Sequence, residues 1–274
     1  MADKIINPPI TSMKDAFSVK GYNVVITGGN RGIGRGITQA FAECGANVAI
    51  MCRNVESAQA VCEELAPLGG TYLAIKCDMS NYDEVVAAKE EIAKTFDHVD
   101  VLVNNAGIDA HLSIFDDDRL MEFEKVMKVN LGGPTACSAV FGQWMIDETR
   151  GGEIIMISSI GGEGIGNPRI NPMPSYNTSK AAINHLTHHL AILLGDHGIR
   201  VNCIAPGLTH SGLDADLPPI VNDYVENDMP THRFGEPIEV GALCVFLSSP
   251  AAVQMTGDVL RHDGGIMTVS HSIR

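Results

Sequence analysis

Tyr176 and Lys180 stand four residues apart in a stretch with helical patterning, so both side chains fall on one face of that helix. A free phenol ionises near pH ~10 and is a poor base at neutral pH. A neighbouring ammonium, together with a second positive charge from a bound group, would stabilise the phenolate and lower that value. The pair is then suited to accept a proton from an alcohol or to donate one to a ketone. Ser159 precedes it in Ile157-Ser158-Ser159-Ile160-Gly161, after an apolar run that reads as a strand. A hydroxyl at a strand end can hold a substrate oxygen in position. Tyr-x-x-x-Lys alone is a weak pattern, met as readily on an ordinary surface. Its weight comes from the order of what surrounds it.

Upstream lies Thr27-Gly28-Gly29-Asn30-Arg31-Gly32-Ile33-Gly34, between a β-branched run and a helical pattern. Glycine is needed where backbone turns sharply and approaches a pyrophosphate with no Cβ in the way. The helix that follows offers free N–H groups and a positive dipole end. Gly28, Asn30, Arg31, Gly32, Ile33 and Gly34 are therefore candidate dinucleotide contacts, and no Gly-Lys-Ser/Thr ending suggests a nucleotide-triphosphate loop instead. An acidic residue at the end of the second strand would favour NAD. Here that place holds Cys52 and Arg53, with Arg31 in the glycine turn. Two guanidinium groups suit a ribose 2′-phosphate, so NADP(H) is expected over NAD(H).

These residues need a scaffold in which strands and helices alternate. Asn23–Thr27, Asn47–Met51, Tyr72–Lys76, Val99–Val103, Glu153–Ile157, Arg200–Ile204 and a segment near Val259-Leu260 read as strands. Helical patterns run from Ile33 to Cys44, Tyr82 to Phe96, within Phe115 to Gln143, Tyr176 to Leu194 and Val240 to Leu247. The alternation predicts an α/β fold with a doubly wound parallel sheet, Rossmann-type, in a single domain. Residues 1–18 are expected to form an N-terminal extension and 19–274 the domain. Two stretches break the rhythm, Gly161 to Pro174 and Leu208 to Gly235. Both read as loops, the second as the substrate loop (about 208–235).

Composition narrows the partners. The 274 residues carry 19 Lys and Arg against 33 Asp and Glu, a formal charge of -14. Such a surface repels nucleic acid and anionic membranes. Hydrophobic residues make up 45%, enough for a sizeable core. The seven cysteines contain no Cys-x-x-Cys pair, which points to buried thiols in a reducing compartment. No signal peptide or membrane-spanning run is read, so a cytoplasmic protein is expected. His185, His188 and His189 share a helical spacing but lack acidic or Cys partners, and no metal is expected there. His111 and Arg169 are weaker candidates for the substrate mouth.

Glycine turn, strand-end serine and Tyr/Lys helix in this order resemble the short-chain dehydrogenase/reductase family, over about Val19 to Val269. Further motifs agree: Asn104-Asn105-Ala106-Gly107 after strand four, Asn130 in Val129-Asn130-Leu131, Pro206-Gly207 after strand six, Arg233-Phe234-Gly235-Glu236-Pro237 and Asp263-Gly264-Gly265. The resemblance implies Ser159 as orienter of the substrate oxygen, with Ser158 the weaker candidate, and Tyr176 as acid/base. It implies Lys180 as holder of the nicotinamide ribose and Asn130 as support for a water in the proton relay. It implies cofactor contacts at Asp78, Met79, Asn105, Ala106, Gly107, Pro206, Gly207 and Thr209, with Ile204 and Leu208–Ser211 on the nicotinamide side. A homo-oligomer, dimer or tetramer, is also implied. Ser159 and Tyr176 are seventeen apart, where the family has about thirteen, and the residue after Pro-Gly is displaced to Thr209 or Ser211. The pattern is similar to gluconate 5-dehydrogenase-like, sorbose-reductase-like and hydroxysteroid dehydrogenase members. An acyl-carrier-linked ketone reductase fits less well, because the acidic surface would repel an acidic carrier. A non-catalytic NADPH sensor on the same fold is the alternative, opposed by the complete Asn130, Ser159, Tyr176 and Lys180 set. A sugar-nucleotide epimerase would need a substrate domain that this length leaves no room for.

Replacing Arg53 by Asp should lower the NADPH-over-NADH ratio of kcat/KM by about tenfold or more, since it removes a charge-assisted contact. An unchanged ratio would show that Arg53 does not meet the 2′-phosphate.

Overall fold

Strand–helix alternation forces a parallel sheet, because each strand can start again at the same edge only through a crossover helix. The computed structural model describes residues 9–109, 119–164, 173–212 and 219–268. Within them run β1 (Asn23–Thr27), α1 (Gly32–Glu43), β2 (Asn47–Cys52), α2 (Val55–Leu65), β3 (Tyr72–Lys76), α3 (Tyr82–Ile92), β4 (Val101–Asn104), α4 (Arg119–Met127) and α5 (Gly133–Glu148). Then follow β5 (Gly152–Ile157), α6 (Pro174–Gly195), β6 (Ile199–Pro206), α7 (Pro219–Asn227), α8 (Pro237–Ser248) and β7 (Val259–His262). The seven strands pair in parallel in the order β3-β2-β1-β4-β5-β6-β7. This is the doubly wound, Rossmann-like single domain that the sequence predicts.

Alternate strand residues point to opposite faces. Val24, Ile26, Val48 and Ile50 meet Ile37 and Phe41 of α1, Val61 and Leu65 of α2, and Val240 and Leu247 of α8. Val25, Ala49, Met51 and Leu102 meet Val85 and Ile92 of α3, Phe141 and Trp144 of α5, and Ile183 of α6. Both faces are buried, which is why the strands read as continuous apolar runs. Chain order reverses between β1 and β4, so the crevice opens where Thr27 and Asn104 end their strands.

One buried ion pair locks the far end of the sheet. Glu153 and Arg200 are register partners on β5 and β6, with Nη1 to Oε2 at 2.9 Å. Arg200 also donates to the carbonyls of Leu247 (2.7 Å), Ala252 (3.0 Å) and Met255 (3.1 Å), holding the end of α8 and the turn after it to the sheet. Burial pushes the Glu153 carboxyl up to about 8, against the pull of Arg200.

The structure departs from the sequence expectation in several places, α3 among them, which ends at Ile92 rather than Phe96. Helix α2 was not anticipated; Asn54 caps it by accepting from Ser57 N at 3.1 Å. The substrate loop is not all loop: α7 begins at Pro219, whose fixed φ and missing N–H suit the first turn, and it buries Val225. The long helical region of 115–143 is divided by a π turn at Lys128–Gly132, and its start at Phe115 lies outside the described residues. Strand four starts at Val101 rather than Val99.

Candidate active site

The glycine turn is built around hydrogen bonds between the ends of β1 and β4. Thr27 Oγ1 accepts from Asn105 N and Ala106 N, both at 3.0 Å. Asn105 Nδ2 donates to Thr27 O at 2.9 Å and to Gly28 O at 3.2 Å. A Cβ on Gly34 would stand 2.1 Å from Gly28 O, so only glycine lets α1 sit this close to the turn. Gly32 adopts a φ of 52°. Arg31 is the N-cap of α1 and makes no side-chain capping bond, so the helix end is open to an anion. These features fit a dinucleotide pyrophosphate, with Ile33 half-buried in the first turn.

The residues expected on the adenosine side lie at the ends of β2 and β3. Arg31 and Arg53 are exposed. Asp78 accepts from Ser80 N (2.9 Å) and Ser80 Oγ (2.7 Å). Ser80 holds its carboxyl below the usual range, with Arg53 and Lys128 adding to the effect. Asn30 donates to Ser57 Oγ at 2.7 Å, tying the turn to the first turn of α2. Ser57 and Asn54 were missed from sequence because α2 itself was missed. Met79 is buried, in reach of Gly133 at the start of α5.

The π turn carries Asn130 inward. Its Oδ1 accepts from Ile108 N at 2.8 Å, and its Nδ2 donates to Ile108 O at 2.8 Å and to Ser179 Oγ at 3.1 Å. Ser179 in turn donates to Tyr176 O at 2.7 Å. Asn130 thus clamps the strand-four loop to α6. Both polar atoms of its side chain are engaged this way. Gly107 passes so close that a Cβ there would lie 3.3 Å from Asn130 Oδ1 and 3.6 Å from Lys180 Nζ.

Tyr176 and Lys180 come from the first two turns of α6, which Pro174 opens. Lys180 is 5% exposed; its Nζ donates to Ile157 O at 2.9 Å and lies 5.4 Å from the centre of the Tyr176 ring. Burial pulls the ammonium down to about 8, opposed by the nearby Cys203 thiol. The Cys203 thiol is itself pushed up to about 12 by burial. The two serines divide cleanly. Ser158 is buried and donates to Lys180 O at 3.0 Å. Ser159 accepts from Gly161 N at 3.1 Å and hydrogen-bonds Tyr176. The arrangement brings Asn130, Ser159, Tyr176 and Lys180 together.

In the polypeptide alone Tyr176 is raised: burial is the largest cause, the Ser159 hydrogen bond opposes it, and Asp109 adds to it. The polypeptide alone keeps this residue a phenol. Thr209 is buried, and its hydroxyl donates to Gly207 O at 3.2 Å, while Ser211 O would lie 2.7 Å from a Cβ on Gly32. The segment after Pro206-Gly207 therefore lies against the glycine turn through Ser211. His111 and Arg169 fall outside the described residues. His185 and His189 meet at 3.2 Å on the exposed side of α6, and His188 reaches Gly257 O at 2.8 Å.

A family profile described as enoyl-(acyl carrier protein) reductase matches residues 28–267. The chain belongs to the short-chain dehydrogenase/reductase family. It is an oxidoreductase of a family that binds nicotinamide cofactors and acts on small molecules. It is 33% identical over 252 residues to 7α-hydroxysteroid dehydrogenase of Escherichia coli K12, covering 92% of this chain and 96% of that protein. It is 37% identical over 250 residues to the 3-oxoacyl-acyl-carrier-protein reductase of Chlamydia trachomatis, covering 88% and 96%. The solved gluconate 5-dehydrogenase of Burkholderia cenocepacia, in complex with NADP and tartrate, superposes with a TM-score of 0.86 at 29% identity, covering 93% and 99%. Among the described residues, no helix is long and apolar enough to cross a membrane.

The split between the serines gives a direct test. Ser159→Ala should cut kcat/KM by roughly 10²–10³-fold, the usual loss of a positioned donor to a reacting oxygen. Ser158→Ala should act mainly on stability, by about 1 kcal/mol in urea unfolding. The reverse order would exchange their roles.

Proposed function

We propose that this protein transfers a hydride between NADP(H) and a secondary alcohol or ketone, with Tyr176 as the acid/base. The observation that carries this is Tyr176, half-buried with its hydroxyl hydrogen-bonded by Ser159, and the Lys180 ammonium 5.4 Å from the centre of its ring. Nicotinamide, when bound, supplies the hydride donor or acceptor. The chain moves the proton. Tyr176 gives it to the substrate oxygen in reduction and takes it back in oxidation. Ser159 fixes that oxygen in line with the phenol. Lys180 holds the cofactor ribose and places positive charge beside the ring. Asn130 keeps the loop wall and α6 in register, supporting the path by which the proton is replaced.

Arg31 and Arg53 support NADP(H) over NAD(H), as does the absence of an acidic side chain at the end of β2. Cofactor contacts are assigned to Gly28, Asn30, Arg31, Gly32, Ile33, Gly34, Arg53, Asp78, Met79, Asn105, Ala106, Gly107, Tyr176, Lys180, Pro206 and Gly207, with Ser211 taking the part expected of Thr209. Polyols, sugar acids and hydroxysteroids are the substrate classes proposed, acting in a cytoplasmic homo-oligomer. The acyl-carrier-linked reading gains support from the 37% identical relative, and is opposed by the charge of -14.

The test is reduced-nicotinamide absorbance with NADP+ and NAD+ against a panel of polyols, sugar acids and hydroxysteroids. Turnover of one class, faster with NADP+, is expected. Tyr176→Phe should lose roughly 10²–10⁴-fold of that rate while NADPH binds as before. NADPH binding without turnover of any panel member would favour the sensor alternative.

A further inference from the structure

Ser175 with Ser179, and Tyr176 with Lys180, form two pairs of the same four-residue spacing, offset by one position. On a helix each pair shares a face, and the two faces are turned about 100° from each other. The second pair presents the phenol and the ammonium. The first pair is held from outside α6 by one stretch of chain. Ser179 Oγ accepts from Asn130 Nδ2 at 3.1 Å. Ser175 Oγ donates to both carboxylate oxygens of Glu122, at 3.2 and 3.3 Å. Glu122 lies on α4 and Asn130 on the π turn that continues it. Tyr176 sits between the two points of attachment.

The attachment at Ser175 matters most for the phenol. The second turn of α6 has fixtures besides Ser179. Ser158 donates to Lys180 O, and a Cβ on Gly162, just beyond Ser159, would lie 2.6 Å from the Lys180 carbonyl carbon. The first turn supplies little of its own. Met173 at the N-cap has only a thioether, Pro174 has no N–H, and no acidic residue stands in the first turn. Helix ends fray when they are weakly capped, and Tyr176 is the third residue of this one. Ser175 is 1% exposed and Glu122 half-buried, so water competes little for the bond between them. A carboxylate at a helix start is also favoured by the dipole.

We propose that Glu122 is a positioning residue: through Ser175 it fixes the first turn of α6 and so sets the Tyr176 phenol against Ser159. Glu122 exchanges no proton with the substrate. Its effect on rate rests on the hydride-transfer function proposed above; its effect on the helix rests on the hydrogen bond alone.

The wild type is compared with Glu122→Ala, Glu122→Gln, Ser175→Ala and the Glu122→Ala/Ser175→Ala double variant. Glu124→Ala, at an exposed place on the same helix, is the control. With NADPH and the ketone that the wild type reduces fastest, kcat should fall about tenfold or more in Glu122→Ala, because a misplaced acid loses rate steeply. KM for NADPH should stay within about threefold, the split expected when only the reacting geometry is disturbed. Glu122→Gln should keep kcat within about threefold, since its amide oxygen still accepts from Ser175. The double variant should be no slower than either single one, because all three remove the same bond. Wild-type kcat in Glu122→Ala, equal losses in Glu122→Ala and Glu122→Gln, or additive losses in the double variant would each overturn the proposal. Amide hydrogen exchange gives a readout that needs no turnover. Peptides over 173–180 should exchange faster in Glu122→Ala than in the wild type and Glu122→Gln, and equal exchange in all three overturns the proposal. If the wild type reduces no ketone, the hydride-transfer function fails, and the exchange result alone decides on Glu122.

Discussion

An ammonium removed from water is unstable unless something nearby favours the charge, and Lys180 is such a group. One hydrogen bond, to Ile157 O, and the face of the Tyr176 ring are what it receives. Its pKa near 8 shows how little that is. A phenolate at Tyr176 would relieve it, as would hydroxyls of a bound ribose. The surrounding structure serves to hold this unrelieved charge in position. Ser158 pins the Lys180 carbonyl, Ser179 pins that of Tyr176, and Asn130 ties Ser179 to the loop of β4. The glycine turn shares that loop, since Asn105 and Ala106 bond Thr27. The residues proposed to hold the phosphates and those proposed to move the proton are therefore parts of one hydrogen-bonded unit at the switch point of the sheet.

Two opposed influences meet at Tyr176. Burial and Asp109 favour the phenol; Ser159 favours the phenolate. Without added positive charge the phenol prevails, which suits proton donation to a ketone. In the other direction, the proposed base strength would come from positive charge beside the ring, that of Lys180 together with that of oxidised nicotinamide. On that proposal, charge balance at this one hydroxyl would link cofactor state to the direction of proton movement.

Much of this was legible in the sequence. β1 and β3 have the bounds that their apolar runs and flanking turn residues indicate. The glycine turn was legible because close backbone approach permits no other residue at Gly34. α7 was not, since Pro218 and Pro219 look like breakers although proline is favourable in a first helical turn. Ser158 and Ser159 could be ranked only by resemblance; the Lys180 carbonyl that separates them lies 22 residues away. That burial raises Tyr176 in the polypeptide alone was not legible for the same kind of reason. Spacing reveals that a lysine is on the same face, but not that Lys180 is buried with Tyr176 half-buried over it.

The central claim is that the Lys180 charge governs the basicity of Tyr176 once oxidised cofactor is bound. The most direct test is the pH dependence of kcat/KM for alcohol oxidation in the wild type and in Lys180→Met. The wild type should lose activity on the acid side with a midpoint below about 10, the ordinary tyrosine value. In the variant that midpoint should move upward by about one pH unit or more, with a large fall in rate. The same midpoint in both proteins would contradict the account.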